Sequence, residues 1–389
     1  MTATLEQAVG PDFGFGLYVH WPYCARICPY CDFNVYTNKE SGADALVTAI
    51  CADIRQHRQA LSAHRTLDTV YFGGGTPSLL KPQNIYKILQ TAAETFGIKR
   101  DAEITLEANP NNISHESCAA WADIGINRLS IGAQSFNDKA LGFLGRDHNA
   151  ATARSAVNIA SEQFQNISLD MIYARPGQSL AEWEQELASA LELATPHLSL
   201  YELTIEAPTA FGKRVARGEL TPLKDDDQAD LYELTQAICD AAGRPAYEVS
   251  NHAASTAFQS RHNQVYWSSG DWIGVGPGAH GRLTYDHQRL ATLAERRPGD
   301  YIKRIATGTG GAQTALSNLD IARELVAMAL RSEQGLDVTR LPALTYPTPS
   351  DAQIEAVKQN GLLQQQGNHL SLTQSGRLLA DHIAAELSP

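Results

Sequence analysis

The stretch YVHWPYCARICPYCDF, residues 18–33, determines which fold and which chemistry this chain is expected to have. It holds Cys24, Cys28 and Cys31 in the spacing C-x3-C-x2-C, with Tyr30 directly before the last cysteine. Three neighbouring thiolates can hold an iron–sulfur cluster. Because a [4Fe–4S] cube has four irons, three cysteines leave one iron free to accept a small chelating molecule, as an open metal position does in catalytic zinc sites.

Two other uses of these cysteines compete with a cluster. Zinc could bind the three thiolates together with His20, but structural zinc usually draws its ligands as two separated pairs. A disulfide needs an oxidising compartment, and the chain shows no secretory signal. The remaining cysteines, Cys51, Cys118 and Cys239, lie in helix-like stretches, so we expect them to be small buried hydrophobic residues.

The composition restricts the class of protein. The chain has 389 residues, of which 43% are hydrophobic, and this allows one large domain plus a smaller one. Its formal net charge of −12 argues against nucleic acid as the main partner. No apolar run is long enough to span a membrane and no signal peptide is recognisable. Since six cysteines also suit a reducing compartment, we expect a cytoplasmic protein.

The first half of the chain alternates apolar, β-branched runs with helical patterns. The runs cover residues 15–21, 67–72, 102–108, 128–133, 166–174 and 197–205. Helices are predicted over 44–63, after Pro82, after Ser114, over 150–162 and from the capping box that starts at Ser179. This alternation predicts an α/β fold with a parallel sheet. Six βα units are too few for the standard eight-stranded barrel, so we expect a partial (β/α)6 barrel with its site at the C-terminal strand ends.

The pattern changes after Glu206. A helix is predicted over 226–242, and a glycine-rich turn over 274–281. From Ser317, a helix, a β-hairpin over 361–373 and a closing helix predict a small winged-helix-like α+β domain, whose low positive charge favours a packing or lid role. The predicted organisation is a flexible lead-in, a core, a core extension, a linker and a C-terminal domain, over residues 1–14, 15–206, 207–305, 306–316 and 317–389.

Glycines and polar residues lie where the predicted strands end. The loop Gly73–Pro77 follows the second strand, and glycines let a backbone approach a ligand closely. Glu107 ends the third strand, Gln134 ends the fourth, Arg146 lies in the loop after it and Asp170 lies in the fifth. Each one alone could be a turn, a solvated charge or a helix cap. Together they predict a pocket in which carboxylates bind ribose hydroxyls and the arginine pairs with a carboxylate.

The cysteine spacing resembles that of the radical S-adenosylmethionine (SAM) superfamily. The resemblance implies that the amino and carboxylate groups of SAM chelate the open iron, and that an electron from the cluster cleaves SAM to a 5′-deoxyadenosyl radical. A glycine-rich loop such as Gly73–Pro77 would receive the amino group of the methionine part.

From Phe15 to about Ile383, the chain is similar to the oxygen-independent coproporphyrinogen III oxidases. This similarity implies a cofactor pocket made by Tyr18, Tyr30, Gly74, Gly75, Thr76, Glu107, Gln134, Arg146 and Asp170. Two features depart from the oxidases. The oxidases have a further cysteine at the position of Phe33. They also have a longer segment before the cluster, whereas only 23 residues precede Cys24 in this chain. Both departures resemble the oxidase-like subgroup of haem chaperones known as HemW.

A second signature of that subgroup is HNxxYW, present here as HNQVYW from His262 to Trp267. An imidazole can ligate haem iron, and flanking aromatic rings can pack on the macrocycle. A lone histidine can instead be hydrogen-bonded within its loop, and Tyr266 and Trp267 could be core residues. The resemblance favours His262 as the haem ligand, with His252 and His280 as alternatives.

The resemblance as a whole implies a haem chaperone that binds a [4Fe–4S] cluster, SAM and haem and delivers haem to apo-haemoproteins such as respiratory enzymes. Peripheral membrane association and a homodimer are further expectations. The alternative is an enzyme of porphyrin metabolism, a coproporphyrinogen dehydrogenase that decarboxylates coproporphyrinogen III to protoporphyrinogen IX. A third class is a radical SAM enzyme with another substrate. Phe33, the short N-terminal segment and HNQVYW favour the chaperone.

Overall fold

A computed structural model describes residues 4–37, 42–61, 64–308 and 310–388. Its largest element is a sheet of eleven strands, of which seven neighbouring strands run parallel. All six runs predicted from the sequence form parallel strands of this sheet. Within the described ranges the two edge strands do not pair with each other, so the sheet is the predicted open, partial barrel.

The strands are numbered in chain order. They are β1 Phe15–Trp21, β2 Tyr23–Cys24, β3 Tyr36–Thr37, β4 Leu67–Gly74, β5 Ile98–Ala108, β6 Arg128–Gln134, β7 Asn166–Tyr173, β8 His197–Glu202, β9 Asn251–Ala253, β10 Asp271–Val275, β11 His280–Tyr285, β12 Gln288–Ala294, β13 Gly311–Ala315, β14 Leu336–Asp337, β15 Leu363–Gln366 and β16 His369–Leu372. The large sheet has the order β13-β12-β11-β10-β1-β4-β5-β6-β7-β8-β9.

The helices are α1 Ala43–Ala60, α2 Pro82–Phe96, α3 His115–Asp123, α4 Asp138–Phe143, α5 Ala150–Gln163, α6 Leu180–Leu191, α7 Ala210–Ala216, α8 Asp225–Ala241, α9 Arg261–Trp267, α10 Pro298–Ala306, α11 Asn318–Ala329, α12 Asp351–Gln359, α13 Gln374–Arg377 and α14 Ala380–Leu387. Short 3-10 helices cover Leu5–Gln7, Pro11–Phe13, Pro77–Leu79, Pro110–Asn112, Thr256–Phe258 and Val338–Leu344. The capping boxes at Ser114, Ser179 and Ser317 form where α3, α6 and α11 begin. No helix in the described ranges is long and apolar enough to cross a membrane.

Residues that face the helices alternate with residues that face the barrel interior along the parallel strands. In β4, Val70 and Phe72 are buried in the main hydrophobic core, whereas Thr69 and Tyr71 form hydrogen bonds inside the barrel. The same alternation places other polar side chains inside: Tyr18, His20, Glu103, Glu107, Arg128, Ser130, Ser168, Asp170, His197 and Ser199. The outer face therefore provides hydrophobic packing, and the interior is left for polar chemistry.

The sheet is wider than the sequence predicted, because β10 adds a parallel strand beside β1 and β11–β13 continue as antiparallel strands. Glycines make this close pairing feasible, since a Cβ on Gly274 would lie 2.0 Å from the carbonyl oxygen of His280. The strand Gly311–Ala315 lies inside the segment 306–316 that was predicted to be a linker. The difference arises because this polar stretch is held by backbone hydrogen bonds to β12, which its composition does not reveal.

The C-terminal module has its own hydrophobic core, formed by α11, α12 and α14 around the small sheet β14-β16-β15. Helices beside a small antiparallel sheet are the winged-helix-like α+β arrangement that the sequence predicted. Ala8 and Val9 are also buried in this core, and the backbone oxygen of Ala8 accepts a hydrogen bond from Arg340. Residues 4–14 are thus packed, which differs from the flexible lead-in predicted for residues 1–14; residues 1–3 lie outside the described ranges.

Candidate functional site

A cavity of about 350 Å³ opens at the C-terminal ends of β4–β8, beneath the loop that carries the three cysteines. The sequence-predicted residues that line it are Cys24, Cys28, Tyr30, Cys31, Gly74, Gly75, Thr76, Glu107, Gln134, Arg146 and Asp170. The structure therefore brings together eleven of the thirteen predicted site residues. The two that it places elsewhere are Tyr18 and His262.

The cysteine loop is held at the edge of the barrel by a short parallel pairing of β2 with β3. Cys24 is buried, whereas Cys28 and Cys31 are half-buried and are joined by a turn in which the N–H of Cys31 donates to the carbonyl of Cys28 at 3.1 Å. Burial raises the pKa of Cys24 and raises that of Cys31 to about 11. These two thiols therefore keep their protons near neutral pH, and a metal cluster would have to displace those protons when it binds.

Arg146 is the only arginine side chain described that contacts a cysteine of this loop. Its Nη1 lies 3.4 Å from Sγ of Cys28, and its Nη2 donates to the carbonyl of Gly132 at 3.0 Å. Its Nε is buried and has no partner among the described atoms. A guanidinium with a spare donor beside the cysteines suits a ligand carboxylate. The three thiols and this unpaired donor fit a cluster that also holds a chelating amino acid.

The glycine loop after β4 packs directly against the cysteine loop. The N–H of Gly74 donates to Oε2 of Glu107 at 3.1 Å, the N–H of Gly75 to Trp21 at 2.7 Å, and the N–H of Thr76 to Tyr23 at 2.9 Å. Because these three backbone donors are used internally, the backbone of residues 74–76 has only carbonyl acceptors left for a ligand. An ammonium group, which only donates, matches a loop of this kind.

Gly74 cannot be replaced by a larger residue without strain. Its φ is +106°, and a Cβ at this position would lie 2.6 Å from the ring of His20. Gln134 also has a positive φ, of +67°, at an irregularity in the pairing of β6 with β7. Backbone strain at a non-glycine residue is often kept at functional sites. Here it turns the chain at the end of β6, where Gln134 lines the cavity.

Two carboxylates lie at the inner wall of the cavity. Glu107 accepts from the hydroxyl of Tyr71 at 2.9 Å, and burial, with a smaller contribution from the charge of Asp170, raises its pKa to about 7. Asp170 accepts from Ser130 and Ser168 at 2.8 Å each, and burial raises its pKa as well. Each carboxylate is thus held in place by hydroxyl donors and is poised to accept further hydrogen bonds from a ligand.

The rim of the cavity is apolar, and the sequence analysis had not assigned it to the site. Ile27 is 43% exposed, Phe33 is 63% exposed and Tyr201 is 44% exposed, and all three line the opening. Arg26 is also exposed at this rim. The signal available from the sequence was the position of Arg26 and Ile27 between two cysteines, and the inward register of Tyr71 and Tyr201 on their strands.

The two predicted tyrosines occupy different places. Tyr30 lines the cavity, and its ring lies 6.5 Å from that of Phe211. Tyr18 points into the barrel below the cavity, where its hydroxyl is 3.0 Å from Nδ1 of His20 and its ring stacks near Tyr71. Tyr18 therefore supports the cavity from beneath and does not line it.

His262 does not lie in the cavity and is only 1% exposed. Its Nδ1 is 2.7 Å from Oγ1 of Thr69, and its Nε2 is 2.7 Å from the hydroxyl of Tyr266. Iron ligation needs a ring nitrogen with a free lone pair and an open approach, and this conformation offers neither. The predicted haem ligation by His262 is thus not supported by the geometry, since α9 would first have to open.

The alternative histidines are placed no better. His252 is buried, its Nδ1 is 3.3 Å from the carbonyl of Arg244, and burial lowers its pKa to about 4. His280 is exposed at the start of β11, away from the cavity lining. No histidine in the described ranges lines this cavity.

Comparisons with known proteins agree with this architecture. Residues 18–190 match the Radical SAM superfamily, and residues 316–379 match the HemN C-terminal domain. The heme chaperone HemW of Mycobacterium tuberculosis strain H37Rv is 37% identical over 385 residues, which cover 97% of this chain and 95% of that protein. The heme chaperone HemW of Escherichia coli K12 is 39% identical over 292 residues, which cover 74% of this chain and 75% of that protein.

A mitochondrial relative and a solved structure extend the comparison. Radical S-adenosyl methionine domain-containing protein 1 of Bos taurus is 38% identical over 328 residues, covering 82% of this chain and 74% of that protein. The structure of coproporphyrinogen III oxidase (HemN) from Escherichia coli superposes with a TM-score of 0.81 at 22% identity, covering all of this chain and 96% of that one. At this identity the superposition shows a common fold.

Proposed function

This chain belongs to the HemW family of the radical SAM superfamily, and from that membership we propose that it is a haem chaperone. It would bind a [4Fe–4S] cluster, SAM and haem, and deliver haem to an apo-haemoprotein. The observation that carries the haem assignment is the group of three exposed hydrophobic side chains at the rim of the cavity, Ile27, Phe33 and Tyr201.

The cluster and SAM would share the floor of the cavity. Cys24, Cys28 and Cys31 would hold three irons, and the fourth would be left for the amino and carboxylate groups of SAM. The spare donor of Arg146 suits the carboxylate, and the acceptors of the glycine loop suit the amino group. When bound, the cluster supplies an electron to SAM; the residues of the chain orient the ligand and exclude water.

Haem would lie across the rim. The macrocycle is flat and apolar, and it would cover Ile27, Phe33 and Tyr201, which otherwise expose large hydrophobic surfaces to water. The cation of Arg26 at the same rim could pair with a propionate. Since no histidine of the described ranges lines the cavity, haem would be held by apolar packing and by the charge of Arg26. Such a site binds less tightly than an enclosed pocket, which suits a protein that must release its cargo.

The experiment is an anaerobic haem titration followed by the Soret band, with the variants Phe33→Ser and His262→Ala. Removing the aromatic platform should weaken haem binding by up to about tenfold, as expected for losing one aromatic stacking contact. Tyr86→Ser is the matched control, because Tyr86 is 50% exposed on α2 and lies outside the cavity lining. Loss of haem binding in His262→Ala with no effect of Phe33→Ser would move the haem site to HNQVYW.

Delivery is tested with the same haem-loaded protein. Mixed with a purified respiratory apo-haemoprotein, it should lose its own Soret band while the acceptor gains one. The alternative function, oxidation of coproporphyrinogen III, is favoured by the shared fold and the intact SAM pocket. Conversion of coproporphyrinogen III with SAM and an electron donor, without haem transfer, would make the alternative correct.

A further inference from the structure

His262 belongs to a cluster of three rings inside the barrel, together with Tyr18 and Tyr71, in which each ring lies next to the other two. Its ring lies 5.1 Å from the ring of Tyr71, with an angle of 24° between the planes, and 6.4 Å from the ring of Tyr18 at 30°. Tyr18 and Tyr71 stack on each other at 6.2 Å. The three rings come from β1, β4 and α9, and Thr69 and Tyr266 hold the two ring nitrogens of the histidine by hydrogen bonds.

Glycines in β1 and β4, the strands that carry the two tyrosines, leave space for this ring cluster. A Cβ on Gly16 would lie 3.1 Å from both Cε1 and Nδ1 of His262, and 2.8 Å from Oγ1 of Thr69. A Cβ on Gly73 would lie 2.9 Å from the ring of Tyr71 and 3.0 Å from that of Tyr18. The strands thus approach the rings as closely as a backbone can, which leaves the rings little freedom to shift.

The hydroxyl groups of the two tyrosines connect this ring cluster to the cavity and to the cysteine loop. The hydroxyl of Tyr71 donates to Oε1 of Glu107 at 2.9 Å, and Glu107 lines the cavity. The hydroxyl of Tyr18 meets His20 at 3.0 Å, and Nε2 of His20 lies 3.0 Å from the carbonyl of Asn34 in the loop that follows the cysteines. The ring cluster therefore connects the HNQVYW segment to Glu107 in the cavity lining and to the loop that follows the cysteines.

We propose that His262 is a positioning residue for SAM binding: its ring packs against that of Tyr71, so that the tyrosine hydroxyl fixes the carboxylate of Glu107 toward the ligand. This role rests on the SAM site of the proposed function and assigns a different task to HNQVYW from iron ligation. It explains why both nitrogens of the imidazole are held by the protein and why the segment is packed beneath the cavity.

The test measures SAM affinity by calorimetry in protein that carries its cluster, across a range of pH, for Tyr71→Phe and His262→Gln. Tyr71→Phe keeps the ring and removes the donor, so it should weaken SAM binding about tenfold. Because that donor favours the charged carboxylate, the midpoint of the pH dependence should also move upward. His262→Gln keeps partners for Thr69 and Tyr266 but loses the stacked ring, and it should shift both quantities in the same direction by a smaller factor.

His252→Gln is the matched control, since His252 is also a buried histidine but is not part of the ring cluster. This variant should leave SAM affinity within about twofold of wild type, as expected for a residue outside the ring cluster. Infrared titration of the Glu107 carboxylate in SAM-free protein gives a second readout and should show the same upward shift in Tyr71→Phe.

Unchanged SAM affinity and unchanged pH midpoints in both variants would overturn the positioning role, all the more if His262→Gln lost haem instead. If His262→Gln fails to fold, Tyr266→Phe replaces it, because it releases Nε2 of the same imidazole and keeps the aromatic ring; unchanged SAM affinity in that variant would overturn the role of His262. A different result would count against the proposed function itself: wild-type protein that binds no SAM, or a Glu107→Ala variant that binds it normally, would remove the SAM site from this cavity.

Discussion

The cysteine loop and the HNQVYW segment are both short motifs rich in aromatic residues, yet they differ in how far their side chains are exposed and hydrogen-bonded within the fold. In the cysteine loop, Phe33 and Ile27 are exposed and all three cysteines line the cavity. In HNQVYW, His262 is buried and both of its ring nitrogens are engaged. One motif presents its reactive atoms to a ligand, and the other uses them within the fold.

The difference shows that residue type alone does not identify a ligand-binding group. A thiol, an imidazole or a carboxylate can bind a ligand only if the fold leaves its lone pairs free. Glu107 and Glu103 make the same point on a single strand, since Glu107 lines the cavity whereas Glu103 accepts from the backbone N–H groups of Arg261 and His262 at 3.1 Å each.

The largest effect should come from the cysteine loop. Changing Cys24, Cys28 or Cys31 to Ala should abolish the cluster, because the remaining two thiolates cannot hold about four irons and four sulfides. Anaerobic reconstitution followed by iron and sulfide analysis measures this. Ala variants at the three other cysteines, which are buried outside the cavity, are the controls: Cys51, Cys118 and Cys239. If Cys51 proved equally necessary, a fourth protein ligand would occupy the iron reserved for SAM.

The next largest effect concerns the open end of β5. Glu107→Ala should weaken SAM binding about 100-fold, since it removes a charged acceptor from a buried site, and should leave the iron content unchanged. Glu103→Ala, four residues away on the same strand, should change SAM affinity by no more than about threefold. Equal losses in the two variants would mean that the two ends of the barrel do not have separate functions.

The same two glutamates should behave in the reverse order in an unfolding experiment. Glu103→Ala leaves two N–H groups at the start of α9 without an acceptor and should cost about 2 kcal/mol of unfolding free energy. Glu107→Ala removes a carboxylate whose burial is unfavourable, as its raised pKa indicates, and should cost little above pH 7. Urea midpoints at pH 8 measure both, and a larger loss in Glu107→Ala would contradict the assignment.

Much of the fold was predictable because its signals are local. Apolar runs and the capping box at Ser179 depend on residues a few positions apart, and they predicted the strands and the start of α6 correctly. The gathering of Glu107, Gln134 and Asp170 also followed, because the ends of parallel strands meet at one edge of a sheet.

The remainder depended on contacts that sequence patterns do not record. Thr69 is 193 positions from His262, so no local signal announces that it occupies one nitrogen of the imidazole. The strands β11–β13 were missed because they are held by backbone pairing that the sequence pattern does not record; Gly274 of β10, for example, allows β11 to approach closely. A motif resemblance gave His262 a ligand role, and only the three-dimensional contacts show that both of its ring nitrogens are hydrogen-bonded within the fold.

The smallest effect separates the two regions by the sign of their pH dependence. Burial lowers the pKa of His262 from 6.5 to about 3, so the stability that it contributes is present above pH 6.5 and is lost as the pH falls toward 3. Burial raises the pKa of Glu107 from 4.5 to about 7, so its contribution is fully present below pH 4.5 and is lost as the pH rises through 7.

Between pH 7 and pH 5 these contributions oppose each other, each on the order of 1 to 2 kcal/mol, and largely cancel in the wild-type protein. Single variants should expose them. His262→Gln no longer resists protonation and should gain stability relative to wild type as the pH falls, whereas Glu107→Gln should lose stability relative to wild type over the same interval. Urea midpoints of cluster-free protein at the two pH values measure the shifts. No shift in either variant would mean that His262 and Glu107 titrate as exposed groups do, and the contrast between a closed and an open end of the barrel would then be wrong.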